Sequence, residues 1–349
     1  MGNPKKLADA FLLTPDQIES FKRDGYLVVH DVLTREELCR ATKGLHETLK
    51  YRYGVDPDNL SETAQNLRAL SSTNGSGGIL DVFYPQWKLE LSENEKFIAI
   101  ISQLWSAGFR NKYDDWEYSN EQCLQGEDYR DHPYGPFDVN RGYIYIDRIC
   151  YRIPTTLSKE IGANQSLTRK KKWPLQRSLT PHLDCCPTTI LKRSKDVSKW
   201  RPLQSFVSLT DSLLENTGGF ECVKGFHHEF SNWACHRKES VGKGGVKFPP
   251  PCVGDFTPIR PVEDADVLAR VCHVPCKAGS FVIWVGLLKL ICSRLVLQYL
   301  MILPFAYHKR ITDFHIPMLG LITVIILERL STYHTYPMWS KTDYIFKNN

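Results

Sequence analysis

The chain predicts a mainly β fold with N-terminal helices, an α+β arrangement in which a sandwich or double-sheet barrel follows a helical front. Three observations predict it. Two helix-capping signatures fall within the first fifty residues, short β-like runs separated by turn residues set in from Arg141, and no stretch alternates strand and helix as a parallel sheet requires. With 349 residues, 42% of them hydrophobic, the chain holds ample apolar material for one large domain or two ordinary ones.

Taken in order, Thr14-Pro15-Asp16-Gln17 and Thr34-Arg35-Glu36-Glu37 both match a capping box, the first with proline at the opening helical position. Gly25 stops the first helix and Tyr26 to Val29 reads as a strand, so the order is helix, strand, helix. Asn59 to Gly78 is polar and rich in glycine and serine, which predicts a surface loop; Glu93 to Trp105 predicts a helix. The strand-like runs are GYIYIDRICYRI, PHLDCCPTTI, LQSFVSLTD, FECVKGF and HVPCKAGSFVIW. Gly218 and Gly219 in ENTGGF predict a tight turn needing positive φ. Lys192 to Trp200 and Glu229 to Asp264 predict long loops, and no internal repeat is present.

The net charge of +5 is mild, and the basic residues gather between Arg169 and Arg201, which reads as a solvated basic loop; nucleic acid is not an expected partner. Eleven cysteines, an odd number without a CxxC pair, argue against a disulfide framework and for a reducing compartment. MGNPKKLADAFLL lacks an apolar run of secretory length and has Lys6 where a myristoylation motif needs Ser or Thr, so a cytoplasmic location is expected. After Trp284 charge density roughly halves and Leu and Ile dominate, yet Lys289 and Arg294 interrupt the first apolar run and Ile316 to Leu327 is too short to span a bilayer, so membrane association is not expected.

The segment TPHLDCCPTTI carries the chemistry. On an extended chain His182 and Asp184 share a face while Leu183 points away, so both can meet one metal. A facial iron site takes two imidazoles and one carboxylate and keeps positions open; this segment supplies one of each. In LQSFVSLTD, Gln204, Phe206 and Ser208 alternate onto one face, and an ordinary core with a satisfied glutamine is the plainer alternative. Arg148 and Arg152 are candidate carboxylate anchors, with Arg152 preferred, although structurally paired arginines are common on strand edges. Cys272, His273 and Cys276, with Cys252, Cys235 and His236 upstream, lack the repeated spacing of a structural zinc site.

LTPDQIESFKRDGYLVVHDVLTREELCRA, the HLD step, ENTGGFECVKGFHHEF and CKAGSFVIW occur in an order that resembles the phytanoyl-CoA dioxygenase family. The resemblance runs in patches from about Leu13 to Trp284. It implies a double-stranded β-helix, that is, a cupin-like jelly roll, with residues 1–140 packed on the barrel and 141–284 forming a partial core. It further implies an oxygenase using iron(II) with 2-oxoglutarate as co-substrate and ascorbate as accessory reductant, acting on a small-molecule substrate. By this resemblance His182 and Asp184 are metal ligands, Phe206 and Gln204 line the co-substrate pocket with Arg152, and His227 and His228 sit at the barrel mouth, where a hydrogen-bonded loop histidine is the plainer reading. In the family the strand resembling GSFVIW leads at once to a distal histidine ligand and then to an arginine that holds 2-oxoglutarate. Here VGLLKLICSRLVLQ follows, and no histidine appears until His308 and His315. Residues 285–349 therefore read as a non-family tail, for which a retained intron or a gene-model error is one origin. The jelly roll is then incomplete at its C-terminus and the iron chemistry impaired; the alternatives are a non-catalytic or truncated isoform acting as a binding module, or a membrane-associated protein acting through its apolar tail.

Overall fold

The computed structural model describes residues 11–108, 110–111, 131–132, 143–164, 173–187, 203–215, 218–236, 256–286, 290–292, 319–322 and 325–328. Helices α1 (Pro15–Asp24) and α2 (Arg35–Glu47) start where the capping boxes predict. Thr14 and Thr34 each accept the backbone N–H three residues on, and Gln17 and Glu37 return the favour to the cap's own N–H. These reciprocal bonds satisfy amides that a helix start otherwise leaves without partners. Gly25 closes α1 at φ 78°, a left-handed conformation cheap only for glycine, and the chain enters β1 (Tyr26–Val29) directly.

The stretch from Asn59 to Gly78 departs from the expected loop. Helix α3 (Leu60–Thr63) and a 3-10 turn at Ala64–Leu70 bury Leu60, Ala64, Leu67 and Leu70. Their three- and four-residue spacing is a helical stripe hidden among polar neighbours. Strand β2 (Ile79–Leu80) and helices α4 (Gln86–Ser92) and α5 (Glu95–Gly108) follow, α5 matching the helix predicted from Glu93 to Trp105.

The remaining elements are β3 (Arg110–Asn111), β4 (Asp131–His132), β5 (Tyr143–Ile146), β6 (Ile149–Arg152), α6 (Thr155–Asn164), β7 (His182–Leu183), β8 (Leu203–Ser208), β9 (Phe220–Val223), α7 (Phe226–His236), β10 (Thr257–Pro258), α8 (Ala265–Ala269), β11 (Val271–Val274), β12 (Phe281–Val285), β13 (Leu290–Cys292), β14 (Leu319–Ile322) and β15 (Ile325–Glu328). Helix α7 occupies the start of the predicted Glu229 to Asp264 loop, whereas Lys192 to Trp200 lies outside the described residues. Gly218 and Gly219 adopt φ of 109° and 103°, the positive values expected of that turn.

Two antiparallel sheets organise the molecule, a six-stranded one in the order β1-β12-β8-β14-β6-β2 and a five-stranded one in the order β10-β7-β13-β9-β11. Pro258, which cannot donate a ladder bond, sits on edge strand β10. Strand register sorts the faces of the larger sheet. Tyr26, Trp284 and Gln204 align across β1, β12 and β8, and Phe206 is one alternation further along β8. These residues face the second sheet: Phe206 and Trp284 pack on Phe220 of β9 at ring separations of 6.0 and 5.0 Å, and Tyr26 meets the same ring edge-on at 6.3 Å. The opposite face is covered by helices, with Phe281 of β12 stacked on Phe97 of α5 at 4.3 Å. Burial on both faces explains why FVIWV and LQSFVS are buried at every position.

The double-sheet arrangement with helices at the front is thus present, while no barrel closes among the described residues. Two strands come from beyond Trp284: β13 lies between β7 and β9, and β14 between β8 and β6. No helix of the described residues is long and apolar enough to cross a membrane. Cys39, Cys150, Cys185, Cys222, Cys272 and Cys276 are free thiols, but Cys186 is disulfide-bonded, which corrects the expectation of cysteines that are all reduced.

Candidate metal and co-substrate site

The HLD step is held from both sides. In β7, His182 is in register with Pro258 of β10 and Leu290 of β13, and Leu183 with Thr257. Beyond the strand the Thr257 hydroxyl donates to the Cys185 carbonyl at 2.7 Å, and before it the Ile259 N–H bonds the Pro181 carbonyl at 2.8 Å. Upstream, Gln176 anchors the approach to β7 by accepting from Ile153 N–H and donating to the Tyr151 carbonyl. Fixing the backbone on both sides of a two-residue strand fixes where its side chains project.

The expected pair is together. His182 Nε2 and Asp184 Oδ1 are 3.2 Å apart, His182 is buried, and Asp184 is partly open to solvent. His182 Nδ1 lies 2.7 Å from the Thr180 carbonyl, which can only accept, so Nδ1 carries a proton there. In the neutral ring the lone pair then falls on Nε2, the atom facing the carboxylate. Burial pushes the His182 pKa down, but the hydrogen bond and charge of Asp184 and the Thr180 carbonyl outweigh it, and the net shift is upward. Phe256 stacks on the imidazole at 4.7 Å.

The carboxylate is oriented from the other sheet. Gln204 Nε2 donates to Asp184 Oδ2 at 3.0 Å, while its Oε1 accepts from the Trp284 indole N–H at 3.0 Å. An indole N–H only donates and an ionised carboxylate only accepts, so one amide orientation satisfies both. The result is a polar chain from Trp284 through Gln204, Asp184 and His182 to Thr180, linking the two sheets. Gln204, expected to line the co-substrate pocket, hydrogen-bonds Asp184. Trp284 and Thr180 were missed, although the strand register of GSFVIW against LQSFVSLTD sets Trp284 opposite Gln204.

The other candidates are more dispersed. Phe206 lies on the inter-sheet face among Phe220 and Trp284. Arg152 is buried with its guanidinium on the Arg177 carbonyl at 2.9 Å and its chain against Gly78. Arg148, the less favoured arginine, is paired with Asp147 at 3.1 Å. His227 and His228 instead lie at the start of α7, each ring 3.0 to 3.1 Å from the Lys22 carbonyl at the end of α1. That contact ties helix to helix, the plainer of the two readings. His308 and His315 lie outside the described residues.

The donor chemistry suits a divalent metal in part. Two ligands at about 2.1 Å from one ion at roughly right angles stand about 3 Å apart, close to the separation of Nε2 and Oδ1. A ligand histidine whose other nitrogen is held by a carbonyl, and a ligand carboxylate whose other oxygen is held by an amide, is the usual outer arrangement. Among the described residues no third His, Cys, Asp or Glu completes a cluster.

No family model matches the chain, and no curated protein matches it. Solved structures similar in fold include a protein from Salmonella typhimurium LT2 named as a candidate oxidoreductase, at TM-score 0.54 and 13% identity, covering 94% of this chain and 73% of that one. The hypothetical protein JW0805 from Escherichia coli gives 0.52 and 14%, covering 92% and 70%. GlcNAc inducible gene 2 from Candida albicans gives 0.53 and 15%, covering 94% and 66%. At these identities the likeness is one of fold.

Proposed function

We propose that this chain is built as an iron(II)- and 2-oxoglutarate-dependent oxygenase of the phytanoyl-CoA dioxygenase kind, on an incomplete jelly roll, with His182 and Asp184 as its metal-binding half-site. The observation that carries the reading is the 3.2 Å approach of His182 Nε2 to Asp184 Oδ1, with each ligand's second atom already occupied by Thr180 or Gln204. The fold shared with a candidate oxidoreductase agrees with it. Iron with 2-oxoglutarate would supply the oxidising chemistry, in which decarboxylation of the co-substrate accompanies insertion of oxygen into a small-molecule substrate.

The chain's own residues bind and orient. His182 offers Nε2 as a donor once its proton is displaced, Asp184 a negative oxygen, and Gln204 holds that carboxylate in place through Trp284. Gln204 is therefore a positioning residue, and Phe256 stacks on the His182 ring. Arg152, the preferred carboxylate anchor, holds the Arg177 carbonyl, and Arg148 is paired with Asp147 at 3.1 Å.

With no family-like distal histidine after GSFVIW, the hold on iron is weak; loss of outer support alone typically costs about 10- to 100-fold in affinity, and loss of a ligand costs more. The test is an anaerobic absorption titration with iron(II) and 2-oxoglutarate. A charge-transfer band that appears only with both, and disappears in His182→Ala, supports the oxygenase reading. Absence of any band in the intact chain would favour the second reading, a non-catalytic member that keeps the sheets as a binding module.

A further inference from the structure

We infer that Cys222 and Cys272 form a peroxide-sensitive dithiol, a modification site in which a hydroperoxide converts the pair to a cross-strand disulfide. The two residues are direct partners in the antiparallel pairing of β9 and β11. Opposed residues in such a ladder have Cα atoms about 4.5 to 5.5 Å apart, inside the range of about 4.4 to 6.8 Å that disulfides span. Their side chains share a face, and the Cys272 thiol donates to the Cys222 carbonyl at 3.4 Å. The backbone spacing of the paired strands therefore suits the bond.

The two thiols differ in the way a reacting pair requires. Strand β11 is the outer strand of the five-stranded sheet, and Cys272 is partly exposed on it, whereas Cys222 is fully buried one strand in. Cys272 receives a hydrogen bond from the Cys222 thiol and one from the Lys224 backbone, with the Lys224 charge nearby, and these bring its pKa down to about 6. Burial, with that same hydrogen bond, holds the Cys222 thiol well above its ordinary value. Cys272 is thus the accessible thiol and the one that ionises more readily, and Cys222 the buried partner beneath it.

The chemistry balances. The Cys272 thiolate attacks the peroxide, the O–O bond breaks, and Cys272 sulfenic acid forms while the alkoxide or hydroxide leaving group takes up a proton. Cys222 sulfur then attacks the Cys272 sulfur, the S–O bond breaks, and the Cys222 proton leaves with the hydroxyl as water. Two thiols lose two electrons in all and the peroxide gains them. The pair lies in the same sheet as the metal half-site, with Leu290 of β13 between Cys222 and His182 in the register.

The test is to treat the full chain with one equivalent of hydrogen peroxide, trap remaining thiols with an alkylating reagent and map the peptides by mass. A linked Cys222–Cys272 peptide is expected, with Cys39 still alkylated. In Cys222→Ser, Cys272 should instead be captured by dimedone as a sulfenic acid. Oxidation of exposed Cys39 ahead of the pair, or full alkylation of both Cys222 and Cys272 after peroxide, would overturn the inference.

Discussion

At the scale of single residues, the polar chain across the two sheets is only as strong as its middle member. Replacing Gln204 with Leu removes a donor from Asp184 and the acceptor of the buried Trp284 indole. A stability loss of about 1–3 kcal/mol is expected in urea unfolding, with an iron affinity lowered about 10- to 100-fold; if neither changes, Gln204 does not position the carboxylate. Lys88 gives a second residue-scale prediction. It is fully buried, with its ammonium on the carbonyls of Val82 and Asp147, and burial brings its pKa from 10.5 down to about 7. Above pH 7 the folded lysine has shed a proton that the unfolded one keeps up to about 10.5, so its contribution makes the protein more stable as pH rises through that window. Between pH 7 and 8.5 the wild type should gain roughly 1–2 kcal/mol relative to Lys88→Met, read from urea midpoints at both pH values; parallel pH profiles would refute it. The pairing of His182 with Asp184 was legible because side chains two apart on extended chain share a face. Phe256 and Trp284 were not, because a ring distant in the chain and an indole on another sheet reach the site only through the fold, whereas the Thr180 carbonyl is local to the segment.

At the scale of elements, local chemistry carried most of the legible information. The two capping boxes set the starts of α1 and α2, and Gly25 set the end of α1, because each is a bond or a φ value decided within four residues. Thr14→Ala should cost about 1 kcal/mol and lower the thermal midpoint by a few degrees. The buried side of Leu60 to Leu70 was illegible for the opposite reason, since flanking Ser, Asn and Gly residues dilute a helical stripe until tertiary burial reveals it. The helix-to-sheet seam is testable at Phe97, whose ring stacks on Phe281. Phe97→Ala should cost about 3–5 kcal/mol by opening a cavity under β12, measured by chemical denaturation. A loss below 1 kcal/mol would mean that α5 does not seal the sheet.

At the scale of the whole molecule, the segment after Trp284 is the least legible part and one that the sheets use. Its sequence reads as foreign to the rest, yet β13 and β14 occupy interior positions in the five- and six-stranded sheets. Strands β7 and β9 on one side, and β6 and β8 on the other, have backbone groups that must pair with something, and an apolar Leu- and Ile-rich chain supplies it. A chain ending at Gly286 should unfold with lower cooperativity and aggregate through the exposed edges, seen as a broadened thermal transition with light scattering; a sharp, unshifted transition would show that β13 and β14 contribute nothing. The metal half-site depends on that same sheet, because His182 is in register with Leu290 of β13. The most direct measurement is anaerobic calorimetric titration of iron(II) into the full chain and into the double variant His182→Ala, Asp184→Ala. One ion per chain, bound weakly by the wild type and not at all by the variant, is the expected result; indistinguishable isotherms would contradict the assignment of these two side chains as metal ligands.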